Sequence, residues 1–432
     1  MCQFFRCFIL AFVLMFVSFG CGKAPAAKEE AGGKTLTFWH IMNYSGPKEV
    51  LEGAVKRFEA SHPGVKVIMQ TFENDAYKVK LANEMASGNS PDVFFTWGAG
   101  GQTSEYIRQG KVLCLNEYAK SNGWEGRFID SALSICRNGV DLYSVPLDLS
   151  AVTLWCNKSL FEANGLAYPK TFEELLAVSA DFRAKKTTPL SLGNMKKWPG
   201  AFYFCYLANR CGGTQLFLDA AAGKDGVSFD DEAFVKAGVM LRQLIDAKAF
   251  SIGFNALEDD MARTAFINGK AAMYLTGSWI VARVKEENPD FLPNMVPVPF
   301  PAVAGGKGDL RTVLGGVNCG FAISSACKEP KLAVELLEAL TDAQVVADWC
   351  KIGRIPAVKP TAEQKELLPA PTRLALELLD KADTLQPYYD QFLPARLGVE
   401  HSNTTQNLFA GTMTPEDAAK KMAETARTMK EK

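Results

Sequence analysis

The sequence predicts an α/β fold of two lobes, each a mostly parallel sheet flanked by helices. From Lys34 onward, short strand-like runs alternate with helical patterns, and a second alternation of the same kind begins after Asp148. Strands that alternate with helices imply a parallel sheet covered on both faces. The chain has 432 residues, 48% of them hydrophobic, which is enough for two or three domains with cores of their own.

The first alternation ends at Asp148. Its strands are predicted at 36–39, 65–69, 92–95 and 142–148. Between the first two strands, residues 47–64 carry apolar side chains at helical spacing and close on His-Pro-Gly. A second helix is predicted over 76–88.

The second alternation starts at 151–157. Thr171 and Glu174 form the capping-box pattern that opens a helix. The elements that follow are a strand in 189–194, helices over 199–209 and 231–250, strands in 271–276 and 315–324, and helices over 331–340 and 414–429. The last of these helices begins with Thr414 as its cap and Pro415 in its first turn.

The N-terminus reads as an export signal. Residues 7–20 form an apolar run that follows Arg6 and is too short to span a bilayer comfortably. Residues 1–20 are therefore predicted as a signal peptide, and 21–33 as an apolar-poor linker. Cys21 directly after Gly20 resembles a bacterial lipobox, although Ser18 replaces the usual leucine. We expect Cys21 to be lipidated, which would tether the protein to a membrane while it works in water. Ordinary secretion is the alternative.

Composition excludes several classes of protein. The 47 basic and 48 acidic residues are interspersed, which argues against a nucleic-acid partner. After residue 20 no apolar window has the length of a transmembrane helix. Eight cysteines follow the export segment without a C-x-x-C pair, and the three histidines lie far from them, so no metal site is expected. No cofactor is expected either. Cys156 reads as a small buried hydrophobe, and disulfide connectivity stays open.

Enzyme motifs are absent or incomplete. The run 32–35 lacks the upstream glycine of a phosphate-binding loop, and 98–101 lacks the dinucleotide spacing. There is no G-x-S-x-G elbow. A glycosidase-like carboxylate pair stays open, because 48 acidic residues always contain some pair. Asp148 stands out by its place between the two units, with a turn or cap role as the alternative.

Three tryptophans follow predicted strands. They are Trp39, Trp97 and Trp279. Sugars present hydroxyls and flat C–H patches, so a sugar pocket needs aromatic rings and a few fixed polar groups. Partial core burial is the alternative for each ring. Trp198 at a predicted helix start is a fourth candidate, whereas Trp124, Trp155 and Trp349 read as packing residues.

Together these segments resemble the extracytoplasmic solute-binding proteins of ATP-driven importers, in the branch that contains maltose-binding protein. The resemblance covers nearly the whole chain after the linker and rests on the following runs: LTFWH, FEASHPGVKV, LANEMASGNSPDVFFTW, YSVPLDLSAVTLWCNKSLFEANGL, FINGKAAMYLTGSW, GFAIS and GRIPAVK. Cys156 departs from the family, which commonly has tyrosine there. The resemblance implies a periplasmic-binding-protein fold with several chain crossings at a hinge. It places 34–148 plus 300–345 in lobe 1 and 149–299 plus 346–432 in lobe 2.

The resemblance also implies a ligand site in the cleft. Its expected residues are Trp39, Asn43, Tyr44, Trp97, Asp148, Trp198, Trp279, Gly316, Asn318 and Arg354. The function it implies is capture of a mono- or oligosaccharide and delivery to the permease subunits of an ABC importer. Such a protein is extracytoplasmic, non-enzymatic and a monomer. A binder of another small solute, such as a polyamine or amino acid, and a secreted glycosidase are the alternatives.

Overall fold

The computed structural model describes residues 33–430. The predicted signal peptide, the proposed lipidation site Cys21 and nearly all of the linker lie outside the described residues. Within the described part the strands are β1 Lys34–His40, β2 Val65–Thr71, β3 Val93–Thr96, β4 Arg137–Asn138, β5 Asp141–Leu142, β6 Val145–Asn157, β7 Thr188–Ser191, β8 Ala271–Gly277, β9 Met295–Val298, β10 Thr312–Ile323, β11 Ile355–Pro356 and β12 Thr384–Gln386.

Helices cover much of the remaining described chain. They are α1 Ser45–Ser61, α2 Asn74–Ser87, α3 Gly101–Arg108, α4 Asn116–Ser121, α5 Trp124–Arg127, α6 Asp130–Ile135, α7 Lys158–Asn164, α8 Phe172–Ala184, α9 Trp198–Gly212, α10 Thr214–Ala222, α11 Glu232–Asp246, α12 Asp259–Ile267, α13 Ile280–Glu287, α14 Pro330–Ala339, α15 Ala343–Lys351, α16 Ala362–Glu366, α17 Ala370–Asp380, α18 Tyr389–Phe392, α19 Ala395–Ala410 and α20 Pro415–Lys430. Short 3₁₀ turns cover Phe254–Ala256 and Pro289–Asn294.

One mixed sheet runs through the molecule, which confirms the predicted α/β class. Its strand order is β2-β1-β3-β10-β6-β8-β7, with β12 beside β10 and both β9 and β11 beside β6. The outer pairs β1–β2, β1–β3 and β7–β8 are parallel, as predicted. The pairs made by β10 and β6 with β3, with β8 and with each other are antiparallel, so "mostly parallel" holds only away from the centre.

The long strand β6 joins the two halves of the sheet. The sequence predicted separate runs at 142–148 and 151–157, but the structure has one strand from Val145 to Asn157, and all thirteen residues are buried. A strand buried on both faces lacks the alternation that marks a half-exposed strand, which is why its continuity was hard to read. β10 runs antiparallel to it, and together they connect the two cores.

Two hydrophobic cores hold the described chain together. The first core forms around β1–β3 with Leu36, Phe38 and Phe94, and the second core around α8–α11 with Phe182, Leu207 and Leu241. Helices α14 and α15 pack on α1 in the first core. The predicted lobe boundaries stay a prediction; residues such as Trp349 and Tyr274 also contribute to the first core.

Several local predictions are confirmed. Thr171 and Glu174 form the capping box of α8, with both reciprocal hydrogen bonds present. Cys156 is fully buried in β6, as its reading as a small hydrophobe predicted. Trp124, Trp155 and Trp349 are packing residues with almost no exposed surface.

Candidate functional site

A cavity of about 640 Å³ lies between the two cores. Its walls come from the segments that follow β1, β3 and β8, from the starts of α9 and α12, and from residues 388–391. Crevices beyond strand ends are where α/β sheets place their ligands, and the volume is in the usual range for small-molecule sites. Seven of the ten predicted ligand-site residues line this cavity: Asn43, Tyr44, Trp97, Trp198, Trp279, Asn318 and Arg354.

Trp97 forms an aromatic wall on the side of the first core. It directly follows β3, and its half-buried ring packs edge-on against Phe95, with centroids 4.8 Å apart. The ammonium of Lys78 lies 4.9 Å from the centre of the Trp97 ring. One part of the ring is thus fixed by packing, while the rest is available to the cavity.

Trp198 and Trp279 form a corner on the side of the second core. Trp198 begins α9, Trp279 follows β8, and their centroids lie 6.2 Å apart with ring planes at 66°. Phe202, one turn along α9, packs against both rings. A side chain on Gly277 could not coexist with this arrangement, because its Cβ would lie 1.9 Å from the Trp279 ring. The glycine before Trp279 therefore lets the indole fold back beside the strand end.

A β-bulge turns Asn318 toward the cavity. In the β10–β6 ladder Val317 pairs with Leu149 and Cys319 with Asp148, so Asn318 is the extra residue. A bulge bends its strand and re-aims the side chain, which is why bulges recur beside functional sites. The Asn318 amide carries both donors and an acceptor into the cavity wall.

A buried ion pair lies behind the cavity. Nε of Arg354 donates to Oδ2 of Asp148 at 2.7 Å, Nη2 donates to the same oxygen, and Nε1 of Trp349 donates to it at 3.2 Å. Asp148 has no exposed surface and Arg354 only 3%. Burial raises the pKa of Asp148, and the Arg354 charge opposes that rise. Burial would lower the pKa of Arg354, but Asp148 raises it above its usual range, so we treat the pair as ionised.

The ion pair also positions Tyr44. Nη1 of Arg354 donates to the Tyr44 hydroxyl at 2.7 Å, and the guanidinium of Arg283 lies 3.7 Å from the centre of the Tyr44 ring. Tyr44 and Arg283 both line the cavity. Arg354 therefore holds the loop after β1 through the Tyr44 hydroxyl, and Arg283 covers the face of the Tyr44 ring.

Three predicted site residues lie outside the cavity lining. Trp39 is inside β1, which continues to His40, so its ring is 7% exposed and packs on Phe72. Asp148 is inside β6 with no exposed surface, and its Oδ2 accepts from Arg354 while its Oδ1 is buried without a partner, so the expectation that it reaches ligand hydroxyls is corrected to a supporting position. Gly316 is buried in β10.

The structure brings further residues into the lining that the sequence reasoning did not name. These include Phe202, Asp259, Tyr274, Arg283 and Tyr388. Tyr274 and Arg283 lie five and four residues from Trp279 along the chain, so the neighbourhood was visible although their orientation was not. Asp259 belongs to a run of three acidic residues that all line the cavity, and nothing in that run shows which one accepts a hydrogen bond from the buried Tyr274.

The described histidines and cysteines do not gather into a metal site. Within residues 33–430 no group of three or more His, Cys, Asp or Glu side chains is placed to hold an ion. Burial lowers the pKa of His40 to about 4 and that of His401 to about 3, so both are neutral at pH 7. The eight cysteines in this part of the chain are free thiols, seven of them buried.

Comparison with known proteins identifies the family. Residues 43–347 match the bacterial extracellular solute-binding proteins. The chain belongs to this family. The match covers most of both cores and most of the cavity lining, whereas Arg354 and the lining residues in 388–391 lie beyond it.

Two curated relatives and one solved structure are among the most similar proteins. The multiple sugar-binding protein of Streptococcus mutans is 25% identical over 80% of each chain. The maltodextrin-binding protein MdxE of Bacillus subtilis is 27% identical over 86% of this chain and 85% of its own. A structure from work on xylan utilization by the thermophilic bacterium Caldanaerobius polysaccharolyticus is 31% identical, with a TM-score of 0.85 over 90% of this chain and 99% of that one.

Proposed function

We propose that this member of the family captures a mono- or oligosaccharide in the cavity and delivers it to the permease subunits of an ABC importer. The observation that carries the proposal is that indole rings from both sides line one cavity: Trp97 beside the first core, Trp198 and Trp279 beside the second. Such rings supply the flat apolar area that sugar C–H faces need, and Asn318 and Tyr44 supply polar groups. The sugar-binding names of the two curated relatives support the same class of ligand.

The charges of the cavity favour a neutral ligand. Lys78 pairs with Asp390 at 3.7 Å, Lys196 approaches Glu73 at 3.9 Å, and Arg263 bonds Asp260 at 2.5 Å. Arg354 is matched by Asp148. An amino-acid ligand would need an unpaired cation for its carboxylate, whereas these four cations already have carboxylate partners. The lining as a whole carries five cations and five carboxylates, a balance that favours a neutral ligand.

The two-sided lining gives a reason for closure around the ligand. A ligand shifts an open–closed equilibrium only if it binds the closed form more tightly. Trp97 and Trp279 belong to opposite sides, so a sugar that contacts both gains contacts on closure. Hinge closure of this kind is common in periplasmic binding proteins.

We further propose that the protein works outside the cytoplasm as a monomer tethered through a lipid on Cys21. The support is the apolar run before Gly20-Cys21. In the part of the chain that the structure describes, no helix has the length and hydropathy to span a bilayer. Mass spectrometry of the membrane fraction should find diacylglycerol on an N-terminal Cys21, and Cys21→Ser should release the protein. An unmodified N-terminus or cleavage elsewhere would contradict the anchor.

A thermal-shift screen of the mature chain tests the ligand class. The panel contains xylobiose, maltotriose, raffinose and D-galactose, with spermidine and leucine as charged alternatives. A specific ligand raises the melting temperature because it binds only the folded state. We expect at least one sugar to do so, with one-to-one stoichiometry by calorimetry and no released product by chromatography. A response to spermidine or leucine alone, or hydrolysis of an oligosaccharide, would overturn the proposal.

A further inference from the structure

Asp259 lies in the cavity wall that also contains Tyr274 and Trp279. It is the first residue of α12, and its backbone is fixed by close packing. A Cβ on Gly193 would lie 2.1 Å from the carbonyl oxygen of Glu258 and 2.8 Å from the nitrogen of Asp259. The loop at Gly193 therefore packs directly against the start of α12 and fixes the backbone position from which the Asp259 side chain extends.

Three other carboxylates in the cavity lining, those of Glu73, Asp260 and Asp390, are already engaged by the protein. Glu73 accepts hydrogen bonds from the backbone at the start of α2, at 2.9 and 3.2 Å. Asp260 bonds Arg263 at 2.5 Å, and Asp390 pairs with Lys78 at 3.7 Å. These three groups use much of their acceptor capacity for helix capping or for cations, whereas Glu258, which also lines the cavity, has no hydrogen-bond donor within residues 33–430 that would orient its carboxylate.

Asp259 is held differently. Its Oδ1 accepts a hydrogen bond from the Tyr274 hydroxyl, and within residues 33–430 its Oδ2 receives none. The side chain is half-buried, and Tyr274 is almost fully buried beneath it. An ionised carboxylate offers about four lone-pair sites, so one neutral donor fixes its orientation and leaves most of its acceptor capacity toward the cavity.

We infer that Asp259 is a specificity-determining residue that accepts hydrogen bonds from two hydroxyls of the bound sugar, and that Tyr274 is its positioning residue. The inference rests on the proposed function and adds to it the residue that selects hydroxyl position. Adjacent ring hydroxyls can donate to the two oxygens of one carboxylate, while the ring face packs on Trp279. Hydrogen bonds to a charged acceptor are shorter and about twice as strong as neutral ones. The recognised ligand is therefore a sugar with a free vicinal diol at this position.

The surroundings of Asp259 set the pH range in which it can accept. The charged and titratable groups that face it are Glu258 just before α12, Asp260 and Arg263 on α12, Tyr274 on β8, Arg283 and Glu287 on α13, and Lys196 from the loop before α9. Burial raises the pKa of Asp259 to about 6, with Tyr274 and Arg263 opposing that rise. Hydroxyl donors need the ionised form, so binding should weaken as the pH falls through about 6.

The test uses the mature chain and the panel sugar that raises its melting temperature most, with that sugar's monodeoxy analogues. We expect the wild-type affinity to fall about tenfold from pH 7 to pH 5, as linkage to one group of pKa about 6 requires. Asp259→Asn should bind at least tenfold more weakly at pH 7 and show a nearly flat pH profile. Tyr274→Phe should keep the pH dependence with its midpoint moved upward, because the hydroxyl that lowers the pKa is gone.

A control and the analogues keep the inference falsifiable. Asp246→Asn, on α11 and outside the cavity lining, should leave affinity and pH profile unchanged. At least one monodeoxy sugar should lose affinity for the wild type but not for Asp259→Asn. If Asp259→Asn does not fold, the wild-type pH profile and the analogue series still decide. A sugar that binds the wild type with no pH dependence and no sensitivity to deoxygenation overturns the inference alone. Absence of any sugar binding overturns the proposed function and the inference with it.

Discussion

Oε1 of Glu105 accepts a hydrogen bond at 2.9 Å from the backbone N–H of Ala395, the first residue of α19. Glu105 lies on α3, which packs into the first core through Tyr106, whereas α19 packs into the second core through Leu397. A carboxylate at a helix N-terminus is favourable because it meets unpaired N–H groups and the positive end of the helix dipole. This contact therefore stabilises the arrangement in which the two cores face each other.

Gly101 makes a second close contact between α3 and the segment before α19. It adopts a φ of +51°, and a Cβ there would lie 2.4 Å from the carbonyl oxygen of Gln391. The start of α3 thus packs against the backbone of Gln391, just before α19. Only a glycine permits this approach, because both the space and the backbone conformation disfavour a side chain.

The first prediction concerns this contact. Glu105→Gln should weaken sugar affinity two- to fivefold, because it removes support from the arrangement in which the two cores face each other. Gly101→Ala should weaken it by more, because the added Cβ would also displace the backbone of Gln391, a cavity-lining residue. Stopped-flow kinetics should place most of the change in the dissociation rate. Glu117→Gln, an exposed acid on α4, is the matched control. Unchanged dissociation in both variants would mean that the contact does not contribute to closure.

Much of the fold could be predicted from local patterns. Apolar residues at helical spacing predicted α1, and capping residues predicted the starts of α8 and α20. Short apolar runs predicted the outer strands. The continuity of β6 could not be predicted, because the strand lacks alternation and its fourth residue, Asp148, is charged. Its charge is compensated by Arg354, 206 residues away, and no local pattern carries a contact of that range.

The candidate site was predicted only in part, for the same reason. Trp97, Trp198 and Trp279 stand at element boundaries, and the structure turns all three toward the cavity. Trp39 has the same sequence context, but β1 extends one residue further and keeps it in the ladder opposite Gln70. Asp259 was missed because its exposure to the cavity depends on the packing of Gly193 and Tyr274, which are distant in sequence.

The second prediction concerns Trp279. Trp279→Ala should reduce sugar affinity by about 1–3 kcal/mol, the scale for burying a large apolar side chain. Its effect on the free energy of unfolding should be smaller than that of Trp155→Ala, which truncates a fully buried ring in β6 and should cost about 3–5 kcal/mol. Calorimetry with the panel sugar and urea denaturation give the two quantities. A strongly destabilised Trp279→Ala that binds sugar normally would show that the ring is a packing residue.

The third prediction concerns the buried ion pair. Asp148→Ala should destabilise the protein by about 3–5 kcal/mol, because it leaves the Arg354 guanidinium buried without its partner. The double variant Asp148→Leu with Arg354→Met should recover much of that loss, since no unpaired charge remains. Urea denaturation of the single and double variants gives the coupling energy. A double variant as unstable as the sum of its parts would indicate that the pair acts through packing rather than charge.

The fourth prediction concerns Asp259 in the absence of ligand. Its folded-state pKa of about 6 lies above the ordinary value of about 3.9, so the folded protein binds the proton more tightly than the unfolded chain does. The stability that this group contributes is therefore present at low pH and lost as the pH rises through about 6. Asp259→Asn removes the cost of the buried charge and should raise the free energy of unfolding by about 1–2 kcal/mol at pH 8, a figure reduced to allow for partial exposure.

The same variant should be no more stable than the wild type at pH 4, where the wild-type carboxyl is protonated in the folded state. Urea denaturation without sugar from pH 4 to pH 8 measures the difference. Asp246→Asn, whose side chain is 68% exposed, should show almost no pH-dependent difference. Proteins keep destabilising residues where function needs them. A carboxylate that lowers the free energy of unfolding at pH 8 would therefore support a ligand-binding role for Asp259. An Asp259→Asn variant that is less stable than the wild type at pH 8 would instead show that the Asp259 charge supports the fold, and the raised pKa would then be wrong.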